Sequence, residues 1–131
     1  MIWVKDSDAQ VLGNLPGTEK AVFAKKQQDG WTSIYTILPV LPAELIRTIA
    51  KSAGIHIYCK SNDTFYANKS YLVIHAAKAG NKKIQLPFNC DIYDAITEDK
   101  WYENVNEFET SLMFGETQIF RYTASIANRE D

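Results

Sequence analysis

Two histidines, His56 and His75, are the side chains best suited to move a proton or bind a metal near neutral pH. Each alternates with apolar neighbours in a strand-like run. Neither is accompanied by the full set of ligands that a metal site needs. We therefore expect packing roles for both histidines, and the sequence predicts no metal and no cofactor.

Hydroxyl and thiol groups act as nucleophiles only when a neighbouring group activates them. The strand-turn-helix setting of a nucleophile elbow is missing around Ser33, Ser52, Ser61 and Ser70. Glycine-rich phosphate loops are missing too. Cys59 and Cys90 lie in strand-like runs and are predicted to be buried free thiols. A single disulfide between them is the alternative, and it would indicate an oxidising compartment.

Glycoside hydrolases usually cleave their substrates with a pair of carboxyl groups. Asp91 and Asp94 share one strand-like run at an odd separation, so they are predicted to face opposite sides of a sheet. The other acidic residues of the last third form a predicted solvated rim: Glu98, Asp99, Glu103, Glu107, Glu109 and Glu116. No catalytic residue is predicted from this pattern.

Aromatic side chains are the remaining candidates, because flat rings exposed on a β-sheet can stack against sugar rings. Trp101 and Tyr102 stand among charged neighbours in a predicted exposed loop over residues 97–104, and they are the candidate sugar-binding residues. Most aromatic residues of the strands are predicted to fill the core: Trp31, Tyr35, Tyr58, Tyr66, Tyr71 and Tyr93 among them.

The elements that must position these residues are mostly strands. One helix is predicted between Pro42, which suits a first helical turn, and Gly54, which suits the residue after the last turn. Its polar face is Glu44, Arg47, Thr48 and Lys51. Short strands separated by turns surround it, with one hairpin predicted from 21–24 and 31–38 and a second from 55–59 and 64–67. The strand at 71–77 is predicted to turn at Gly80 and Asn81 into the strand at 83–86. The predicted fold class is α+β and mostly β, with an antiparallel β-sandwich at 55–131 preceded by a strand-helix segment at 1–54. The last residues, 128–131, are predicted to be frayed.

Composition narrows the class of partners. A formal net charge of -2 gives no electrostatic reason to expect nucleic acid or an anionic membrane. No apolar run approaches the roughly 20 residues of a membrane-spanning helix. The sequence therefore predicts a soluble protein, with the cytoplasm and the periplasm both left open.

Seven segments of this chain share a family's pattern of strands and turns: 31–35, 41–58, 66–68, 73–77, 83–87, 93–97 and 114–121. Together they resemble the C-terminal end of bacterial beta-galactosidase-like glycoside hydrolases. In that family a catalytic barrel is followed by an α/β trimerisation domain and then by a small antiparallel β domain. The resemblance implies that 1–54 is a remnant of the α/β domain and that 55–131 is the terminal β domain.

The family places its catalytic glutamates in the barrel, so the resemblance implies no catalytic residue here. We expect a noncatalytic accessory region whose partner is the catalytic domain of a parent glycosidase. A homo-oligomer stays open, because an unpaired sheet edge can pair with a second copy. Two alternatives stay open as well: a carbohydrate-binding module that uses exposed aromatic rings, and a free-standing small enzyme.

Overall fold

Eight strands and one helix form in the computed structural model, which describes residues 2–125. The predicted frayed end at 128–131 lies outside the described residues. The elements are β1 Gln10–Asn14, β2 Ala21–Gln27, β3 Thr32–Thr36, α1 Ala43–Ser52, β4 Thr64–Ala67, β5 Tyr71–His75, β6 Gly80–Asp94, β7 Lys100–Leu112 and β8 Thr117–Ala124. Every strand pair is antiparallel, so the α+β, mostly β class with one helix is confirmed.

The chain divides into two units, Met1–Pro42 and Ala43–Asp131. The first unit is a three-stranded sheet in the order β1-β2-β3, and the predicted hairpin of β2 with β3 is present. Ala21, Val22 and Ala24 are its buried residues. This division differs from the predicted boundary at Gly54, because the helix belongs to the second unit. The strands of the first unit are antiparallel, unlike those of a typical α/β domain.

Local signals set the ends of α1. The helix begins directly after Pro42, where the missing N–H costs no intrahelical hydrogen bond. It ends at Ser52, and Gly54, two residues later, has a φ of 76°. The Ile55 N–H donates to the Ala50 carbonyl and the Gly54 N–H to the Lys51 carbonyl, the pattern of a Schellman cap. No residue of α1 is buried, so the helix is a surface element.

The second unit contains a five-stranded sheet in the order β4-β5-β8-β6-β7. The fifteen-residue strand β6 pairs with β7 mainly through residues 80–85, and it pairs with β8 through residues 90–94. Between these parts the register shifts around Pro87, Phe88 and Asn89. Proline has no N–H to donate to a ladder, so it explains why the pairing is interrupted there.

One hydrophobic core lies on the inner face of this sheet. Both halves of β6 contribute to it, with Ile84 and Leu86 from the first half and Cys90 and Ile92 from the second. Phe108 and Phe120 pack edge to face across this core, with ring centroids 5.0 Å apart. The remaining core residues come from β5, β7 and β8 and from Ala76. The sheet thus encloses its own core, in keeping with the predicted sandwich-like fold.

The predicted strand partners were wrong at two places. Segment 55–59 was expected to form a hairpin with β4, but β4 pairs with β5, and Cys59 makes a single bridge to Ile84. β5 was expected to turn into the next strand at Gly80, but β5 pairs with β4 and β8. Both sides of β5 are therefore occupied by other strands. Sequence proximity favoured the hairpins, whereas β5 pairs with β8, which is far from it in the sequence.

A buried ion pair ties the start of β4 to β6. The Lys82 ammonium lies 2.8 Å from an Asp63 carboxylate oxygen, and the two side chains are only 5% and 3% exposed. Asp63 also accepts hydrogen bonds from the Ser61 hydroxyl and from the Ala77 N–H. Burial alone would raise the pKa of Asp63, but its bonds to Lys82, Ser61 and Ala77 outweigh burial and lower it.

Removing one partner of this pair should destabilise the protein strongly. We expect Asp63→Ala to lower the free energy of unfolding by about 3–5 kcal/mol, because it leaves the buried Lys82 charge unpaired. Urea unfolding measures this change. Asp6→Ala, which removes the exposed ion pair with Lys26, is the matched control and should have little effect. A similarly small effect of Asp63→Ala would contradict the account, whereas recovery of stability in Asp63→Leu/Lys82→Met would support it.

The same carboxylate predicts a pH dependence of stability. Because the folded pKa of Asp63 is lowered, the unfolded chain takes up a proton first as the pH falls. The stabilisation that the Asp63 carboxylate contributes is complete above the ordinary aspartate pKa of about 4. It is lost as the pH falls through the lower pKa of Asp63 in the folded protein. Between about pH 7 and about pH 3, the free energy of unfolding measured in urea should fall less for Asp63→Ala than for the original chain. Equal losses would contradict this assignment.

Candidate functional site

Trp101 and Tyr102 lie on strand β7, not on the exposed loop that the sequence predicted. Of the charged residues around them, Lys100 and Glu103 are exposed positions of the strand, whereas Glu98 and Asp99 precede it. Ile92 pairs with Tyr102 and Tyr93 pairs with Lys100, so Trp101 is the extra residue of a β-bulge. Bulges re-aim side chains, which explains how two consecutive residues can both contact the core.

Both rings rest on core phenylalanines. The Trp101 ring packs edge to face against Phe120 with centroids 5.6 Å apart, and the residue is 40% exposed. The half-buried Tyr102 ring lies 5.4 Å from Phe108. The Tyr102 hydroxyl donates to the Glu109 carbonyl at 2.9 Å. The two residues therefore support the fold, and their role in sugar binding stays a prediction.

Asp91 organises the backbone around the bulge. One of its oxygens accepts hydrogen bonds from the Asn104 N–H at 2.9 Å and the Ser125 hydroxyl at 3.0 Å. The other lies 3.0 Å from the Lys100 ammonium. The Asn104 N–H, followed by Lys100, lowers the pKa of Asp91. Asn104 has a φ of 53°, a strained value for a residue other than glycine, and the bond to Asp91 helps to hold it.

The outer face of the five-stranded sheet carries aromatic and cationic side chains. We call this set of residues the outer face: Tyr66, Tyr71, Val73, Tyr93, Ile119 and Arg121. Directly paired residues of antiparallel strands share a face. Tyr66 pairs with Val73 and Val73 with Ile119, while Tyr71 and Tyr93 flank Arg121 on either side. Tyr66 is 68% exposed and Tyr71 is 42% exposed.

Arg121 is fixed at the centre of the outer face. Its guanidinium carbon lies 4.1 Å from the centroid of the Tyr93 ring. Its Nε and Nη2 atoms donate to one Glu98 carboxylate oxygen at 3.0 and 2.7 Å. The ring, the cation and the carboxylate form a fixed polar patch beside the exposed tyrosines. The sequence assigned most aromatic residues of the strands to the core, and the structure corrects this assignment for four that are exposed: Trp31, Tyr35, Tyr66 and Tyr71.

Two carboxylates of the second unit, Asp94 and Glu107, have a lowered pKa. Hydrogen bonds from the N–H groups of Thr97 and Ile96 lower the pKa of Asp94. Lys83 and Gln85 lower the pKa of Glu107. Glycoside hydrolysis requires one carboxyl group with a raised pKa that donates a proton. These carboxylates have shifts in the opposite direction, so they are not suited to act as the acid.

The histidines and cysteines are spread over the second unit. His56 Nε2 lies 2.9 Å from the Gln85 carbonyl oxygen, and His75 Nδ1 lies 2.8 Å from the Thr117 hydroxyl. Cys59 and Cys90 are free thiols. Burial raises the pKa of Cys90, whereas Cys59 is only half-buried and contacts the Ser61 hydroxyl. Over residues 2–125, no group of three or more potential metal ligands comes together.

A cleft of about 620 Å³ lies between the polar face of α1 and the segment 55–60 that follows it. The helix contributes Glu44, Arg47, Thr48 and Lys51. The other lining residues are Ile55, His56, Ile57, Lys60 and Gln85. The sequence predicted this polar face of the helix but gave no reason to expect a cleft beside it, because the cleft depends on where segment 55–60 runs.

Neither protein-family models nor curated proteins nor solved structures gave a match to this chain. The resemblance to beta-galactosidase-like glycoside hydrolases therefore stays a prediction. In the described part of the chain, no helix has the length and apolar character needed to cross a membrane.

Loss of the Asp91 carboxylate should expose Trp101 further. In a Trp3→Phe/Trp31→Phe background, Trp101 is the only tryptophan. We expect Asp91→Ala to shift its emission to longer wavelength, because the backbone at Asn104 loses its hydrogen-bond acceptor. Asp29→Ala, at an exposed turn of the first unit, is the control and should leave the emission unchanged. An unchanged spectrum for Asp91→Ala would show that Asp91 does not hold the bulge.

Proposed function

We propose that this chain is a noncatalytic accessory region of a glycoside hydrolase-like protein and that it contacts carbohydrate through the outer face. The observation that carries the proposal is the exposure of Tyr66 and Tyr71 on one face of a regular sheet. Tyrosine rings on such a face are held in place by the strands, so they lose little freedom when a sugar ring packs on them.

The surroundings of the tyrosines suit a polyhydroxylated ligand. Sugars combine apolar C–H faces with hydroxyl groups that need hydrogen-bond partners. The Arg121–Glu98 ion pair lies next to Tyr71 and Tyr93 on the same face, and it offers both donors and acceptors. Val73 and Ile119 pair with each other on the same face and supply an apolar contact surface for the ligand. The combination supports binding of an extended saccharide across neighbouring strands.

The noncatalytic part of the proposal rests on the state of the carboxylates. Asp91, Asp94 and Glu107 have lowered pKa values, caused first by backbone or side-chain hydrogen bonds to the charged form. Each is occupied in holding a turn, a bulge or a neighbouring lysine. These roles favour an accessory region over a free-standing hydrolase.

A second candidate is packing against a protein, either the catalytic domain of a parent glycosidase or a second copy of the chain. The turn between β7 and β8 supports it, because Met113 and Phe114 are 71% and 77% exposed there. Two neighbouring apolar side chains exposed in one turn can act as anchors for a protein interface. This candidate retains the accessory role without sugar contact.

Calorimetric titration with galactosides and plant-type oligosaccharides tests the first candidate. We expect saturable binding that Tyr66→Ala and Tyr71→Ala each weaken roughly tenfold, because each removes a stacking ring. Trp31→Ala, an exposed tryptophan of the first unit, is the matched control and should bind normally. Trp101→Ala tests the site that the sequence predicted, and loss of binding in that variant alone would move the site to the bulge.

A flat titration with a well-folded sample would contradict sugar contact and leave the second candidate. For self-association, analytical ultracentrifugation should then show a sedimentation coefficient that rises with protein concentration. Phe114→Ser should abolish the rise, because it removes the exposed apolar anchor. A monomer at all concentrations would exclude pairing of two copies through this turn.

A further inference from the structure

The cleft beside α1 carries an excess of positive charge in a chain whose net charge is negative. Arg47, Lys51 and Lys60 line it, and Glu44 is the one carboxylate among its lining residues. The whole chain has a formal net charge of -2, so this local excess is opposite in sign to the protein as a whole. Such a concentration of one sign in a concave surface attracts ligands of the other sign.

The three cations repel one another in the absence of a ligand. Arg47 and Lys51 stand four positions apart on the helix, where like charges are destabilising. Lys60 approaches from the opposite wall of the cleft. Within residues 2–125, the ammonium groups of Lys51 and Lys60 make no ion pair or hydrogen bond, although Lys60 acts electrostatically on Glu107. An anion placed between them would relieve this repulsion.

Arg47 is oriented in advance for such a ligand. Its Nη2 atom donates to Glu44 at 3.2 Å and to Asn62 at 2.8 Å, and its side chain is 23% exposed. These two contacts fix the plane of the guanidinium group. A guanidinium has five N–H donors in a fork that matches an oxyanion. In the described part of the chain, Nη1 and Nε make no hydrogen bond, so they are available to a ligand.

His56 completes the polar wall. Its Nε2 atom lies 2.9 Å from the Gln85 carbonyl oxygen, and a carbonyl can only accept a hydrogen bond. Nε2 must therefore carry the proton, and Nδ1 has no partner among residues 2–125. The cleft also has an apolar side, since Ile55 lines it and is 58% exposed. Its volume of about 620 Å³ falls in the range of small-molecule sites.

We infer that this cleft binds a small molecule that bears a carboxylate or phosphate group. Arg47 holds the oxyanion with its free N–H donors, Lys51 and Lys60 neutralise its charge from two walls, and Ile55 contacts the apolar body. The site is separate from the outer face, so it does not depend on the proposed sugar contact. The shared chemistry is the oxyanion, and the experiment distinguishes its two sources.

Nitrogen-15 NMR titration of the full chain tests the inference with three probes: inorganic phosphate, galacturonic acid and neutral galactose. At up to about 10 mM ligand, a millimolar site is mostly occupied. We expect saturable shifts at the amides of residues 44–60 and 85 with phosphate, with galacturonate or with both, and none there with galactose. A response to phosphate alone assigns a phosphate ester, and a response to galacturonate alone assigns a carboxylic acid.

Charge-removing variants make the test specific. Lys51→Ala/Lys60→Ala should weaken binding and raise the apparent dissociation constant at least tenfold. Both side chains are exposed and unpaired, so the fold should be retained. Lys78→Ala, an exposed lysine outside the cleft, is the matched control and should bind normally. The inference is overturned if no anion gives saturable shifts, or if the double variant and the original chain bind equally.

Discussion

The second unit depends on strand β6, because this one strand must pair with two others, β7 and β8. Its first part pairs with β7, and its last part pairs with β8 on one side and, in an irregular register, with β7 on the other. A break at Pro87 and its neighbours separates the two parts, and the inward positions of both parts point into the same core. The buried Lys82–Asp63 pair then fixes the first part of β6 to the start of β4. A hydrophobic residue at either position would lose this link between distant strands.

The surfaces that carry the proposals follow from this arrangement. With the inner face closed over the core, Tyr66, Tyr71 and Arg121 are left on the other face. The shift of register between β6 and β7 places Trp101 in a bulge, from which its ring reaches Phe120. The cleft has a different origin. The Schellman cap at Gly54 reverses the chain and brings segment 55–60 alongside the polar face of α1.

Features encoded by neighbouring residues could be predicted from the sequence, and features encoded by distant pairing could not. The helix was predicted from Pro42, Gly54 and the spacing between them, and the β2–β3 hairpin from its turn. The face on which Tyr66 and Tyr71 lie depends on which strands pair, and alternation alone does not distinguish an inner from an outer face. The charged residues around Trp101 indicated a loop, whereas Lys100 and Glu103 occupy solvent-facing positions of an edge strand and only Glu98 and Asp99 precede it.

The most direct test of the proposed function is to map which residues respond to a saccharide. Nitrogen-15 NMR spectra of the full chain, recorded during titration with a galactose-containing oligosaccharide, report on every backbone amide outside the prolines. We expect saturable shifts confined to β4, β5 and β8 around Tyr66, Tyr71 and Arg121. Spectra that do not change, or shifts confined to residues away from the outer face, would contradict it.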